Sequence, residues 1–297
     1  MLTIGSRGSQ LALWQARWIQ ARLSALGEES RIEVIHTTGD RITNLALSKV
    51  GSKGLFTKEI EEALLAGTID VAVHSMKDMP TGIPAGLTIA AVPEREDARD
   101  ALVGWPLADG PRVGTSSLRR AAQLRAHWPD LMIETIRGNV DTRLRKLDER
   151  QFDSIVLAAA GLRRLGLEAR IAQLLDPALM CPAVGQGALA VETRGDGGAA
   201  HVVCAQLDNA AARTAVTAER AVLAALGGGC QVPIGAHARI EGGDLSIDAV
   251  VVSPDGSQQV RRSARGPSAD AQQTGARLGE ELLSGGAREI LARVYEA

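Results

Sequence analysis

The chain has 297 residues, enough for two or three domains, and 33 Lys and Arg against 35 Asp and Glu leave a net charge of −2. That balance excludes a global basic footprint for nucleic acid, and no run of about 18 apolar residues marks a membrane span. Met1-Leu2-Thr3-Ile4-Gly5 lacks the basic and apolar regions of a signal peptide. Cys181, Cys204 and Cys230 suit neither a disulfide framework nor a zinc site, so a reducing, cytoplasmic setting is expected.

Leu2 to Ile4 reads as a short strand. From Ser9 a helical period places Ala12, Ala16, Ile19, Leu23 and Leu26 on one face, with Gly27 as the stop. Arg31 to Thr37 is strand-like, and Thr57 is placed to cap a helix carrying Ile60, Ala63 and Leu64. Ile69 to Val73 and Leu87 to Val92 are apolar runs of the kind buried in parallel sheets. The charged stretch Glu94 to Asp100 reads as a crossover. The pattern then restarts with strands at Arg112–Thr115, Met132–Ile136 and Ser154–Ala158, and helices at Ser117–His127, Val140–Arg150 and near Leu162. This βαβ rhythm predicts two α/β units. After about Asp208 a helix at Thr214–Leu226 and strands at Ile234–Ile240 and Leu245–Val252 follow. Helices near Ser268–Leu283 and Arg288–Tyr295 complete a small α+β domain.

Ligands of open α/β sheets bind beyond the carboxyl ends of the strands. Those ends here deliver Arg7 and Ser9, then His74-Ser75-Met76-Lys77-Asp78. Next come Thr115-Ser116-Ser117-Leu118-Arg119-Arg120, then Arg137-Gly138-Asn139 with Arg143, and last Arg163 and Arg164. Hydroxyls and free N–H groups at helix starts bind anions, and Arg adds a bidentate fork. Polar helix starts are common, but five cationic strand ends facing one cleft predict a polyanionic ligand. Neither a Walker motif nor a Gly-x-Gly-x-x-Gly fingerprint is present, so several carboxylates on an organic substrate fit better than a nucleotide. Asp78 follows a cation at a strand end. It is either an ion-pair partner or a carboxylate that stabilises positive charge and moves a proton. The five histidines show no metal spacing, and no metal is expected.

Five lysines occur, and four of them, Lys49, Lys53, Lys58 and Lys77, fall close together. Such residues can mark sites that need a compact ammonium, although clustering by chance is a fair alternative. Cys230 sits in Gly227-Gly228-Gly229-Cys230-Gln231-Val232-Pro233. Its thiol is either a small buried group or an accessible nucleophile.

The chain resembles the porphobilinogen deaminase (hydroxymethylbilane synthase) family along essentially its whole length. The matching stretches are Ile4-Gly5-Ser6-Arg7 with Leu11-Ala12-Leu13-Trp14-Gln15, Lys49-Val50-Gly51 through Phe56, and Val73-His74-Ser75-Met76-Lys77-Asp78. They continue with Val113 to Arg120, Arg137 to Val140, Pro182-Ala183-Val184-Gly185-Gln186-Gly187, and Gly228 to Pro233. The resemblance implies two periplasmic-binding-protein-like α/β domains, 1–93 plus about 188–207 and 94–187, and an α+β C-terminal domain, 208–297. It implies a dipyrromethane cofactor joined to Cys230 by a thioether. Four porphobilinogen molecules add to it with loss of ammonia, and hydrolysis then frees hydroxymethylbilane.

By the same resemblance Asp78 is the catalytic carboxylate. Lys77, Asp78, Ser75, Thr115, Ser117, Arg119 and Arg120 contact the cofactor. Arg7, Ser9, Ser116, Arg137, Arg143 and Arg164 bind substrate, and Lys49, Lys53 and Phe56 lie on a loop near the cleft. Partners are the growing oligopyrrole and a uroporphyrinogen-III synthase that takes the product. Neither nucleic acid nor membrane is expected, and the protein is expected to be a monomer. A periplasmic-type anion receptor would explain the arginines but not Cys230. A cysteine hydrolase would need a base beside Cys230, and no neighbouring residue supplies one.

Overall fold

The computed structural model describes residues 1–41, 54–109, 111–228 and 232–296. In chain order its elements begin β1 (Leu2–Ser6), α1 (Gln10–Ala25), β2 (Ser30–Val34), α2 (Thr38–Arg41), α3 (Lys58–Leu65), β3 (Val71–Ser75), β4 (Leu87–Ala91) and β5 (Asp100–Gly104). They continue with β6 (Arg112–Gly114), α4 (Leu118–His127), β7 (Met132–Glu134), α5 (Val140–Asp148), β8 (Ser154–Ala158), α6 (Ala159–Arg164), β9 (Gln173–Leu174) and β10 (Leu189–Arg194). The chain closes with α7 (Ala199–Ala205), α8 (Ala210–Ala225), β11 (Ile234–Glu241), β12 (Asp244–Val252), β13 (Gln259–Pro267), α9 (Ala271–Leu282) and α10 (Arg288–Glu296). The chain is thus α/β with a small α+β C-terminal part.

Two compact units form, one from Met1–Glu96 with Ala188–Arg213, the other from Asp97–Gly187 with Thr214–Ala297. In the first, the sheet order is β2-β1-β3-β10-β4, with β10 antiparallel to both neighbours. Ala16, Ile19 and Leu23 of α1 pack on Ile4, Val71, Val73 and Val191 of this sheet, as their helical spacing predicts. Ile60 and Leu64 of α3 pack with Ile69, Ala72 and Leu87. The third strand starts at Val71 rather than Ile69, because the Asp70 carboxylate accepts the Thr3 N–H at 2.9 Å. Thr57 takes the position before α3 without a side-chain cap bond.

The second unit holds a sheet of order β7-β6-β8-β5-β9 and an antiparallel sheet β11-β12-β13. Successive residues of β5 and β8 point to opposite faces. Ala101, Val103, Ile155 and Leu157 join one cluster with Leu144 and Leu162, while Leu102 and Val156 join another with Val113 and Leu124. In the C-terminal part, Val222 and Leu226 pack with Ile234, Leu245, Ile247, Leu278 and Leu282. Ala122 of α4 and Cys181 pack with Val250 and Val252, joining the two sheets of this unit through one apolar contact.

The crossover reading of Glu94–Asp100 is corrected at its end, where Asp100 opens β5 and the apolar run Ala101-Leu102-Val103 is a strand. The strand β13 escaped the sequence reading because it is a polar edge strand, with Val260 as its one buried residue.

Candidate active site

In the first unit β1 and β3 are parallel neighbours, so Arg7 and Asp78 leave the sheet at the same edge. Ser9 caps α1, its hydroxyl oxygen accepting the Ala12 N–H at 3.2 Å, which leaves the hydroxyl hydrogen for a ligand. The Arg7 guanidinium lies 4.2 Å from the Phe56 ring centroid, a cation–π contact that fixes its direction. Buried Gln15 donates to the Ser75 hydroxyl at 2.9 Å. The chain then makes one 3-10 turn, Met76–Asp78, whose Met76 is anchored in the core and whose Lys77 and Asp78 are half-buried. Among the described residues the Asp78 carboxylate makes no hydrogen bond or ion pair. His74, one residue before this turn's cap, lies in the core with Nε2 3.2 Å from Glu192 Oε2.

In the second unit β6, β7 and β8 are parallel while β5 runs against β8. The start of β5 therefore meets the ends of the other three, which brings Asp100 to the edge carrying the arginines. Ser117 caps α4, accepting the Arg120 N–H, and Thr115 Oγ1 accepts the Ser117 N–H at 3.2 Å. The Ser116 hydroxyl donates to the Ile136 carbonyl. Gly138, with φ 111°, makes the turn into α5, where any Cβ would meet Thr142.

Asp100 is fully buried. Its Oδ2 accepts Arg119 Nη1 at 2.7 Å, and its Oδ1 accepts Arg120 Nε at 2.9 Å, Arg120 Nη2 at 2.8 Å and Gln186 Nε2 at 2.8 Å. Burial alone would raise its pKa, but the two guanidiniums outweigh that and hold the carboxyl well below the usual range. Arg119 Nη1 also donates to the Cys181 carbonyl at 2.6 Å, so both of its hydrogens are used. Among the described residues Arg119 Nε and Nη2 carry no hydrogen bond. That edge is the one Arg uses for bidentate carboxylate binding.

The arginine cluster exceeds what Asp100 neutralises. Arg143 donates from Nε to the Gly138 carbonyl at 2.8 Å and forms no ion pair among the described residues. Burial, together with the nearby Arg120 and Arg137 charges, brings its pKa down to about 10. Lys146 donates to the Arg137 carbonyl at 3.3 Å, and Arg164 Nη2 to the Gly187 carbonyl at 2.7 Å. An edge of crowded like charges favours a polyanion, whose carboxylates relieve the repulsion.

Asp100 and Gln186 were not picked out as site residues from the sequence. The apolar triplet after Asp100 was the available signal for a strand with Asp100 at its head. Lys49, Lys53 and Cys230 lie outside the described residues. Burial pushes the thiols of Cys181 and Cys204 up to about 12, so neither supplies a reactive thiolate near neutrality.

The family model described as porphobilinogen deaminase, dipyromethane cofactor binding domain, matches residues 2–201, and that of the porphobilinogen deaminase C-terminal domain matches 213–284. A porphobilinogen deaminase of Syntrophobacter fumaroxidans is 51% identical, over 100% of this chain and 99% of that protein. One of Roseiflexus sp. is 51% identical over 98% of each. Among solved structures, an ABC-transporter periplasmic substrate-binding protein of Coxiella burnetii aligns with 70% of this chain and 91% of its own at 13% identity and TM-score 0.43. The two family models and the full-length relatives agree with the cationic strand ends, and the chain belongs to the porphobilinogen deaminase family, enzymes that polymerise porphobilinogen on a dipyrromethane cofactor in tetrapyrrole biosynthesis.

Proposed function

We propose that Cys230 carries the dipyrromethane through a thioether and that Asp78 is the catalytic carboxylate. The carboxylates of the cofactor are held by Arg119, Arg120, Lys77, Ser75, Thr115 and Ser117. The acetate and propionate arms of porphobilinogen are taken by Arg7, Ser9, Arg137, Arg143 and Arg164, and by Ser116 once its hydroxyl turns from the Ile136 carbonyl to the arm. The single observation that carries this reading is the cationic edge of the second unit, where among the described residues Arg119 keeps its Nε–Nη2 face without a hydrogen bond and Arg143 lies among like charges. Those donors fit a group bearing several carboxylates. Burial pushes the Cys181 and Cys204 thiols up to about 12, which supports Cys230 as the attachment residue.

When bound, the dipyrromethane supplies the pyrrole carbon that receives new units. The chain's own residues then have separable tasks. The arginines orient porphobilinogen by its two arms, which fixes the position of its aminomethyl carbon. Asp78, carrying no competing partner among the described residues, keeps a proton at the amine nitrogen as the C–N bond breaks and the electron pair leaves with ammonia. Its carboxylate faces the positive charge then left on the ring.

The finer expectations complete the proposal: a cytoplasmic monomer whose linear product passes to a uroporphyrinogen-III synthase. Among the described residues no helix is long and apolar enough to cross a membrane. The test is intact mass. The purified protein exceeds its sequence mass by two pyrrole units and releases ammonia from porphobilinogen. A protein at sequence mass with no ammonia release would instead be an anion receptor.

A further inference from the structure

The segment Gly185-Gln186-Gly187 has no part in the chemistry just described, yet its geometry is specialised. Gly185 has φ 69° and Gly187 φ 87°, so a residue is turned inward between two positions that favour glycine. That residue, Gln186, is 1% exposed. Its Nε2 donates to the Ala98 carbonyl at 2.7 Å and to Asp100 Oδ1 at 2.8 Å. On the other side of the same turn, buried Glu219 of α8 accepts the Gly185 N–H at 2.7 Å with Oε2 and the Ala238 N–H of β11 at 2.8 Å with Oε1. A continuous polar chain thus runs from α8 and β11, through the turn, to Asp100 and its two arginines, inside one compact unit.

Asp100 uses both oxygens on Arg119 and Arg120, so its position decides where the open edge of Arg119 points. Arg119 and Arg120 are each tied to a backbone carbonyl as well, but apart from these two side chains Gln186 is the donor that holds the Asp100 carboxylate among the described residues. A neutral donor from a rigid turn fixes it without adding charge. We propose that Gln186 is a positioning residue for carboxylate recognition: it holds Asp100 in place, and through Asp100 it sets the Arg119 and Arg120 guanidiniums relative to α8 and β11. This rests on the reading of Arg119 and Arg120 as carboxylate-binding residues.

The test compares Gln186→Met, Gln186→Glu and Arg119→Leu by thermal melting, by the fraction of protein carrying the covalent adduct, and by KM and kcat for porphobilinogen. Gln186→Met keeps the volume and removes both donations. It is expected to fold, to raise KM about tenfold, the worth of roughly one buried hydrogen bond, and to lower adduct loading while kcat falls less than about threefold. Gln186→Glu places a second carboxylate against Asp100. Its KM is expected to rise further and to recover as pH falls, because the protonated side chain again donates to Asp100; the parent shows no such recovery. A folded Gln186→Met with parental KM and loading, beside an Arg119→Leu that loses both, overturns the role of Gln186 and leaves the site reading intact. An Arg119→Leu with parental KM and loading overturns the site reading itself and this proposal with it. If Gln186→Met does not fold, the Gln186→Glu profile decides, and a KM independent of pH overturns the proposal.

Discussion

Arg120 grips Asp100 with two nitrogens on a single carboxylate oxygen, Nε at 2.9 Å and Nη2 at 2.8 Å, while its Nη1 donates to the Val156 carbonyl at 3.0 Å. The pair joins the start of β5 to α4 and β8 in the interior, where an uncompensated charge is costly. Asp100→Asn keeps the shape but leaves two buried guanidiniums without a counter-charge. It is expected to destabilise the fold by about 3–5 kcal/mol, read as a shift in the urea midpoint. A loss below about 1 kcal/mol would mean that water reaches the pair.

Cys230→Ala should yield folded protein at its sequence mass, without adduct and without product. Cys181→Ala and Cys204→Ala should keep the adduct, since burial holds both thiols protonated. Mass spectrometry of the three variants decides the attachment residue, and adduct on the Cys230 variant would refute it.

Asp78→Asn retains the size and hydrogen-bonding capacity of the side chain but cannot shuttle a proton. Single-turnover ammonia release from cofactor-loaded enzyme should fall about a hundred- to ten-thousand-fold, with substrate binding changed much less. Asp78→Glu should retain part of the rate, because the carboxylate is displaced rather than lost. Near-parental release from loaded Asp78→Asn would reduce Asp78 to a bystander.

Arg143 carries a cost that the substrate-binding role proposed for it explains. Its pKa is brought down to about 10, first by burial and then by the Arg120 and Arg137 charges. Near neutral pH the residue is charged in both folded and unfolded protein, and the fold bears the penalty. That penalty fades as pH rises through about 10 toward the ordinary arginine value. Arg143→Gln should therefore leave the thermal midpoint at pH 8 unchanged or raised, while KM for porphobilinogen rises at least about tenfold. A lowered midpoint with parental KM would assign Arg143 to packing instead.

Glu61 of α3 provides a pH test of the first unit. It is 7% exposed, and burial, reinforced by the charge of Glu192, raises its pKa above the ordinary value of 4.5. A carboxyl whose folded pKa is raised contributes stability that is full below its unfolded pKa and lost as pH rises through the folded one. Glu61→Gln removes this titration. Urea unfolding at a series of pH values above 4.5 should show the parent losing stability relative to the variant as pH rises. Parallel curves would show that Glu61 keeps its charge in the fold.

Much of the fold was legible locally. The spacing of Ala12, Ala16, Ile19 and Leu23 marked the buried face of α1, and the apolar run Ser154–Ala158 coincides with β8, because a helix face or a buried strand is written in neighbouring residues. The residues Arg119, Arg120, Arg137 and Arg143 could be placed at strand ends for the same reason. The tertiary structure alone decided which of them keep donors open. Asp100 reaches the arginine edge only because β5 enters antiparallel beside β8, and Gln186 reaches Asp100 across 86 residues of chain. Likewise β10 pairs with β3 and β4 after the chain has supplied all five strands of another sheet, which sets His74 against Glu192. Those pairings depend on strand order and direction, which arise from the balance of the whole core rather than from any local pattern. The cations were written in sequence; their buried counter-ion Asp100, and hence the charge left over for a ligand, came from topology.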